Sequence, residues 1–304
     1  MNKAAADWRD DPMFSKKLSY RRNFAFFPKK LSDKTWVWWA HYYYVQQNLY
    51  YRDHERAFRT EDVFPKFISE EEYILAAISA GYTELGFSDH TPWHYESGYH
   101  ATMRMDESQL EDYVHTLSVL RDKYKDKISI KIGLECEYFE DKMEWLKDQL
   151  EKYKLDYIIL GNHFDGSDET GIYYGHPVSL EELKKYVSQV IKAMDTGLFS
   201  YVAHPDVVFY DESKQEHIDE LEKICIHAAE IDMPLEFNLL GYKAMRHYPS
   251  QPFIDLCKKH HNRIIIGTDA HEPSALKDTK TYNRAYAYLK ESGLEITEDI
   301  KMLR

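Results

Sequence analysis

Apolar residues recur along this chain in two alternating spacings. Stretches with apolar positions three and four apart, the period of a helix packed on one face, alternate with short continuous apolar runs rich in β-branched residues, the mark of a buried strand. The first helix opens at Ser69, with Glu72 completing a capping box, runs through "YILAAISAGY" and stops at Gly81. "TELGFSDH" then reads as a strand, the stretch through Leu110, Val114, Leu117 and Leu120 as a helix, and "ISIKIGLE" as a strand. The alternation continues with "MEWLKDQLEKYK" as helix, "DYIILGNH" as strand, "SLEELKKYVSQVIKAM" as a capped helix and "FSYVAHPD" as strand. "HIDELEKICIHAAEI" is helical, "PLEFN" a strand, "QPFIDLCKKHH" a helix, "RIIIGTDAH" a strand and "YNRAYAYLKES" a last helix.

Repeated units of this kind, with strands apolar on both faces, predict an α/β fold in which helices cover a parallel sheet. The strand ends choose between a barrel and a doubly wound sheet. Six of them finish in polar groups: His90, Glu135, His163, His204, the pair Glu236 and Asn238, and Asp269 with His271. An open sheet gathers its ligands at a switch point between a few strands, whereas a barrel brings every carboxyl end to one rim. Six contributing strands therefore predict a TIM-like barrel with its chemistry at the mouth.

Composition narrows the partners. Lys and Arg number 39 against 52 for Asp and Glu, a formal charge of −13, which disfavours a long nucleic acid while leaving room for a local pocket holding one phosphate. Three cysteines, Cys136, Cys225 and Cys257, show no CxxC spacing, so a reducing cytoplasm is expected rather than a disulfide framework. The opening "MNKAAADWRDDPMFSKK" lacks the apolar core of a secretory signal, and no apolar run approaches the roughly 20 residues of a spanning helix, so a soluble protein without membrane contact is expected. Oligomeric state stays open.

Imidazoles and carboxylates gathered at one rim suit divalent ions: imidazole for zinc or iron, carboxylate to bridge ions or to suit manganese. Any one of these residues alone would read as a cap or a core group; their conjunction predicts a metal site. In this order and spacing, "GFSDH", "GLE", "GNH", "AHPD" and "TDAH" resemble the polymerase and histidinol phosphatase (PHP) family over about Ser69 to Leu276, and "YIILGNHFDG", "TGLFSYVAHPD" and "PLEFNLLG" resemble its histidinol-phosphatase type. The resemblance implies a distorted seven-stranded (β/α)7 barrel with two or three divalent ions (zinc, manganese or iron) and a metal-bound hydroxide attacking a phosphate ester. It implies that Glu135, His163 and His204 form one ion site, with Glu135 bridging to a second that includes Asp269, and that His90 and His271 belong to a third. Phosphate recognition needs a cation at the rim, and Arg104 in "ATMRMDE" and Arg246 in "GYKAMRHYPS" both follow strand ends; the resemblance points more to Arg246. Glu135, His163, Asp269 and Arg246 are thus the expected catalytic group. No GxSxG elbow or P-loop occurs, and Cys136 reads as packing.

The chain departs from the family at its start. The family's first strand ends in HxH, a pair that occurs nowhere here; the corresponding region offers only His41 and His54, the latter followed by Glu55 and Arg56. Residues 1–33 are therefore expected to be an atypical extension and residues 34–304 the barrel, with a diverged first strand over 34–60. Four of the six tryptophans, Trp8, Trp36, Trp38 and Trp39, lie before residue 40. A diverged strand, a replaced segment and a displaced reading frame all fit this pattern.

The leading expectation is a metal-dependent phosphatase acting on a small phosphorylated metabolite, most like histidinol phosphate; a role in histidine biosynthesis is what the resemblance implies. Three alternatives fit the residues: a phosphodiesterase of the same family, a protein weakened by the missing HxH that binds metal or ligand without turnover, and a metal-free glycosidase using Glu135, Glu137 and Glu236, which would leave the histidines unexplained.

Overall fold

Helix α1 (Glu70–Ala80) starts where its capping box closes: the Glu72 carboxylate accepts from the Ser69 N–H at 3.2 Å, and Gly81, with φ of 89°, ends the helix in the left-handed conformation that glycine adopts without strain. The computed structural model describes residues 26–32, 35–40, 69–101 and 103–303. Ahead of α1, β1 (Phe26–Ser32) and β2 (Thr35–Ala40) form an antiparallel hairpin. His41 and His54 lie outside the described residues, so the expected first strand is described only where its start, at 35–40, pairs in this hairpin.

The remaining elements alternate as the apolar spacings predict: β3 (Glu84–His90), α2 (Leu110–Tyr124), β4 (Ser129–Cys136), α3 (Met143–Tyr153), β5 (Tyr157–Leu160), α4 (Leu180–Asp195), α5 (Gln215–Glu230), β6 (Leu235–Asn238), α6 (Leu239–Ala244), α7 (Gln251–Lys259), β7 (Arg263–Gly267), α8 (Thr279–Glu291) and β8 (Glu295–Ile296). The short α6 and β8 are not evident in the apolar pattern, because neither is long enough to show a period. Helix α4 shows the logic of the layer: Leu183, Tyr186, Val187, Val190 and Met194 form its buried stripe, each such side chain contributing roughly 1.5–3 kcal/mol by leaving water.

Strands β3, β4 and β5 pair in parallel, as do β6, β7 and β8. The expected "FSYVAHPD" strand is reduced to Val202, which bridges in parallel to Leu160 on one side and Leu235 on the other. Its pairing ends there because His204 turns to φ of 30° and Pro205 has no N–H to donate. Through that bridge the parallel segments follow one another in sequence order from β3 to β8. Leu134, Ile158, Leu160, Val202, Leu235 and Phe237 share one core with the helices covering them. A smaller cluster joins Ile74 and Ala77 of α1 to Leu276, beyond β7. No helix among the described residues is long and apolar enough to cross a membrane.

Candidate metal centre

The register of the parallel strands carries the site. β3 and β4 pair with His90 opposite Glu135, and β5 and the Val202 bridge then deliver His163 and His204 beside them. Two glycines make room for carboxylates. A Cβ on Gly161 would overlap the Glu135 carboxylate, and one on Gly267 would overlap that of Glu236, so the glycines of "GNH" and "GTDAH" are required by neighbouring strands. His204 and Asp269 adopt the left-handed backbone, with φ of 30° and 44°.

Glu135 is the centre of the cluster. Its Oε1 lies 2.9 Å from His204 Nε2 and 3.5 Å from His163 Nε2, and its Oε2 lies 4.0 Å from His90 Nδ1. The imidazole of His163 packs 5.0 Å from His90 and 4.9 Å from His204, centroid to centroid. Two sets of three donors each lie within 4.8 Å of one another: Glu135 with His163 and His204, and His90 with Glu137 and His163. Burial pushes the Glu135 carboxyl up, but His90, His204 and His163 outweigh it and hold it at about 2. Burial brings His90 down to about 4, leaving a neutral imidazole. Burial acts the same way on His204, yet its bond to Glu135 prevails and raises it to about 9. His204 Nδ1 is buried with no hydrogen-bond partner among the described residues. Clustered imidazoles, an ionised carboxylate and an orphaned ring nitrogen fit a divalent cation of the zinc, iron or manganese type.

A second group lies alongside. His271 Nδ1 is 3.3 Å from Asp269 Oδ1, and Asn238 Nδ2 donates to Asp269 Oδ2 at 3.1 Å and to Glu236 Oε2 at 3.0 Å. Glu236 also accepts the His204 N–H at 2.7 Å, which ties the two groups together through the backbone. Burial raises Glu236 to about 7, whereas at Asp269 burial is overcome by His271, and the carboxyl stays well below the usual range. Asp269 and His271 fall in neither three-donor set among the described residues.

The two candidate arginines differ. Arg246 is exposed, donates to Tyr248 Oη at 2.6 Å and feels the charge of Asp269. Tyr248 in turn packs edge-on against His204, 5.8 Å between centroids, so Arg246 stands next to the Glu135 cluster. Arg104 corrects the expectation of a rim cation. It is buried, with Nη1 and Nη2 on Glu137 at 3.0 and 2.8 Å, Nε on Asp168 at 2.9 Å and Nη1 also on the Thr91 carbonyl at 2.8 Å. Sequence spacing could not foresee this, because Asp168 comes from a distant loop. Glu137 is the residue undervalued at the sequence level; its signal was the two-residue step from Glu135, which puts both carboxylates on one strand face. Cys136 is fully buried and its thiol is pushed up by burial, in keeping with packing.

A model of the PHP domain matches residues 68–239. The histidinol-phosphatase of Bacillus subtilis is 27% identical over 232 residues, spanning 66% of this chain and 86% of that protein. The histidinol-phosphatase of Lactococcus lactis is 25% identical over 239 residues, spanning 73% and 84%. Among solved structures, the histidinol phosphate phosphatase of Lactococcus lactis, complexed with zinc, L-histidinol and phosphate, superimposes with a TM-score of 0.59 at 20% identity, covering 79% of this chain and 94% of that one.

Proposed function

The chain belongs to the PHP domain family, and on that premise we propose that it is a metal-dependent phosphatase hydrolysing a small phosphate monoester, with histidinol phosphate the foremost candidate. The observation that carries this reading is the convergence of Glu135, His163 and His204 from three successive parallel segments on one buried spot. The named activity of both curated relatives and the ligands of the solved neighbour support it. We further read the consecutive parallel arc as most of a distorted seven-stranded barrel.

Glu135, His163 and His204 would hold one ion, with His90 beside them, and Asp269 with His271 would contribute to a second. Such ions, when bound, lower the pKa of a water and neutralise charge developing on the phosphoryl group. The chain's own residues supply the rest. Glu135 and Asp269 stay ionised at neutral pH, so cation binding displaces no proton from either. Arg246, oriented by Tyr248, would anchor the phosphate and align the ester for attack on phosphorus, with the alcohol leaving opposite. No side-chain nucleophile is required.

The test is phosphate release from histidinol phosphate and from p-nitrophenyl phosphate with manganese, zinc or iron, beside metal analysis of the purified protein. Release that needs metal and disappears in His163→Ala is the expected result. The absence of HxH favours one second reading, ion binding without turnover; bound metal with no phosphate released from either ester would establish it. Faster hydrolysis of bis-p-nitrophenyl phosphate than of the monoester would move the activity to phosphodiesters.

A further inference from the structure

Glu137 belongs to a three-donor set, yet its surroundings are those of a carboxylate with nothing left to give a cation. Its Oε2 accepts from Trp93 Nε1 at 2.8 Å and from Arg104 Nη1 at 3.0 Å; its Oε1 accepts from Arg104 Nη2 at 2.8 Å and faces His163 Nδ1 at 3.3 Å. These four contacts use the roughly four lone-pair positions of a carboxylate. Both Glu137 and Arg104 are buried, so a cation on Glu137 would stand against a guanidinium that water does not screen. We propose that Glu137, clamped by Arg104, is a positioning residue that fixes the ring of His163 for cation binding and is not itself a ligand.

The geometry gives each ring nitrogen one task. With Nδ1–H donating to Glu137, the lone pair of Nε2 points towards Glu135 Oε1, 3.5 Å away, in the carboxylate–histidine–metal arrangement that sets a ligand's tautomer and direction. The clamp reaches the other carboxylate as well. Arg104 Nη1 donates to the Thr91 carbonyl, while the Thr91 N–H and hydroxyl donate to the Glu135 carbonyl at 2.8 and 3.0 Å. One guanidinium thus steadies both the backbone of Glu135 and the histidine beside it, with Asp168 holding its far edge.

This inference rests on the metal-site reading above, and its test separates the two. Full-length wild-type protein is loaded with zinc, and its histidine ring nitrogens are observed by long-range proton–nitrogen correlation, the His163 signals assigned by their loss in His163→Asn. The Nδ1–H form with Nε2 on zinc is expected; the Nε2–H form overturns the inference. Glu137→Gln is then compared by zinc content per chain at saturation and by competition with a chelator. The expected result is unchanged stoichiometry with affinity weakened roughly 10- to 100-fold. One zinc fewer at saturation would make Glu137 a ligand, and unchanged affinity would make it merely structural; either overturns the inference. Should Glu137→Gln not fold, the wild-type tautomer decides. Wild-type protein that takes up no zinc overturns the metal-site reading, and the inference falls with it.

Discussion

The half of the site carried by β4, β5 and the Val202 bridge and the half carried by β7 use the same residue types in different settings. In the first, the side chains of Glu137, His204 and His163 are 0%, 5% and 10% exposed; in the second, those of Asp269 and His271 are 20% and 27% exposed. The strands beneath differ in the same sense. β5 is buried along its whole length, while most of β7 is only half-buried. Enclosure decides how firmly a ligand is set. In the first half, Arg104 and Trp93 hold Glu137, Thr91 is held in turn by Arg104, and Gly161 makes room for the Glu135 carboxylate. In the second, Asn238 supports Asp269, whose carboxylate faces His271. The first half is preorganised, and the second leaves more of its geometry for a cation to complete.

Removing a ligand from each half makes the sharpest test. His163→Ala should lower phosphate release by more than about 100-fold and release the more tightly held zinc, while Asp269→Ala should lower activity but keep that zinc. Metal content after gel filtration distinguishes them, and loss of all zinc from Asp269→Ala would break the distinction between halves.

Smaller effects come from the glycine cradles. Gly161→Ala should push against the Glu135 carboxylate at a cost of about 1–3 kcal/mol, a Tm lower by roughly 3–10 °C. Gly267→Ala presses on Glu236, which is 6% exposed against 8% for Glu135, and should cost about as much; calorimetry of the two variants in metal-free buffer measures the two losses. A loss at Gly267 well below that at Gly161 would show that the two cradles are not equally tight.

The smallest effect concerns α8, which follows the β7 half. Asp278 caps it, accepting from the Thr281 N–H at 3.1 Å, and pairs with Lys243 at 2.7 Å. The bond to Lys243 and those to Thr281 hold its carboxyl at about 2, below its unfolded value near 4. A depressed carboxyl stabilises the fold above the unfolded value, and that contribution fades as pH falls from about 4 towards 2. Asp278→Ala should cost about 1 kcal/mol at neutral pH and almost nothing at pH 2. Urea titrations at the two pH values report it, and a cost that does not change with pH would remove the carboxylate from the account.

Much of this was legible in the chain. Capping boxes at Ser69 with Glu72 and at Ser179 with Glu182 announce two helices, and continuous apolar runs announce β4, β5 and β6, because each signal is local. The strand-end residues were legible for the same reason: a polar group straight after an apolar run marks where a strand leaves the core. What stayed hidden depended on distant partners. Val202 lies in a segment that resembles a strand, but the turn at His204 ends it after one bridge. Arg104 looks like a free rim cation until Glu137 and Asp168, 33 and 64 residues away, close on it. The two-residue step from Glu135 puts Glu137 on the same side of a strand, but nothing local in the chain shows that an arginine closes on it.

The backbone bends at His204 and Asp269 carry a dynamic corollary. Each holds a residue other than glycine in a conformation that costs about 1 kcal/mol, and each does so at a strand end of the histidine and carboxylate cluster. Without a cation to fasten their side chains, both corners should open more readily, the more exposed one at Asp269 before the enclosed one at His204. Amide protons around 204 and 269 should therefore trade with solvent early in stripped protein and fall silent once zinc is restored, turning hydrogen exchange into a gauge of occupancy that needs no substrate.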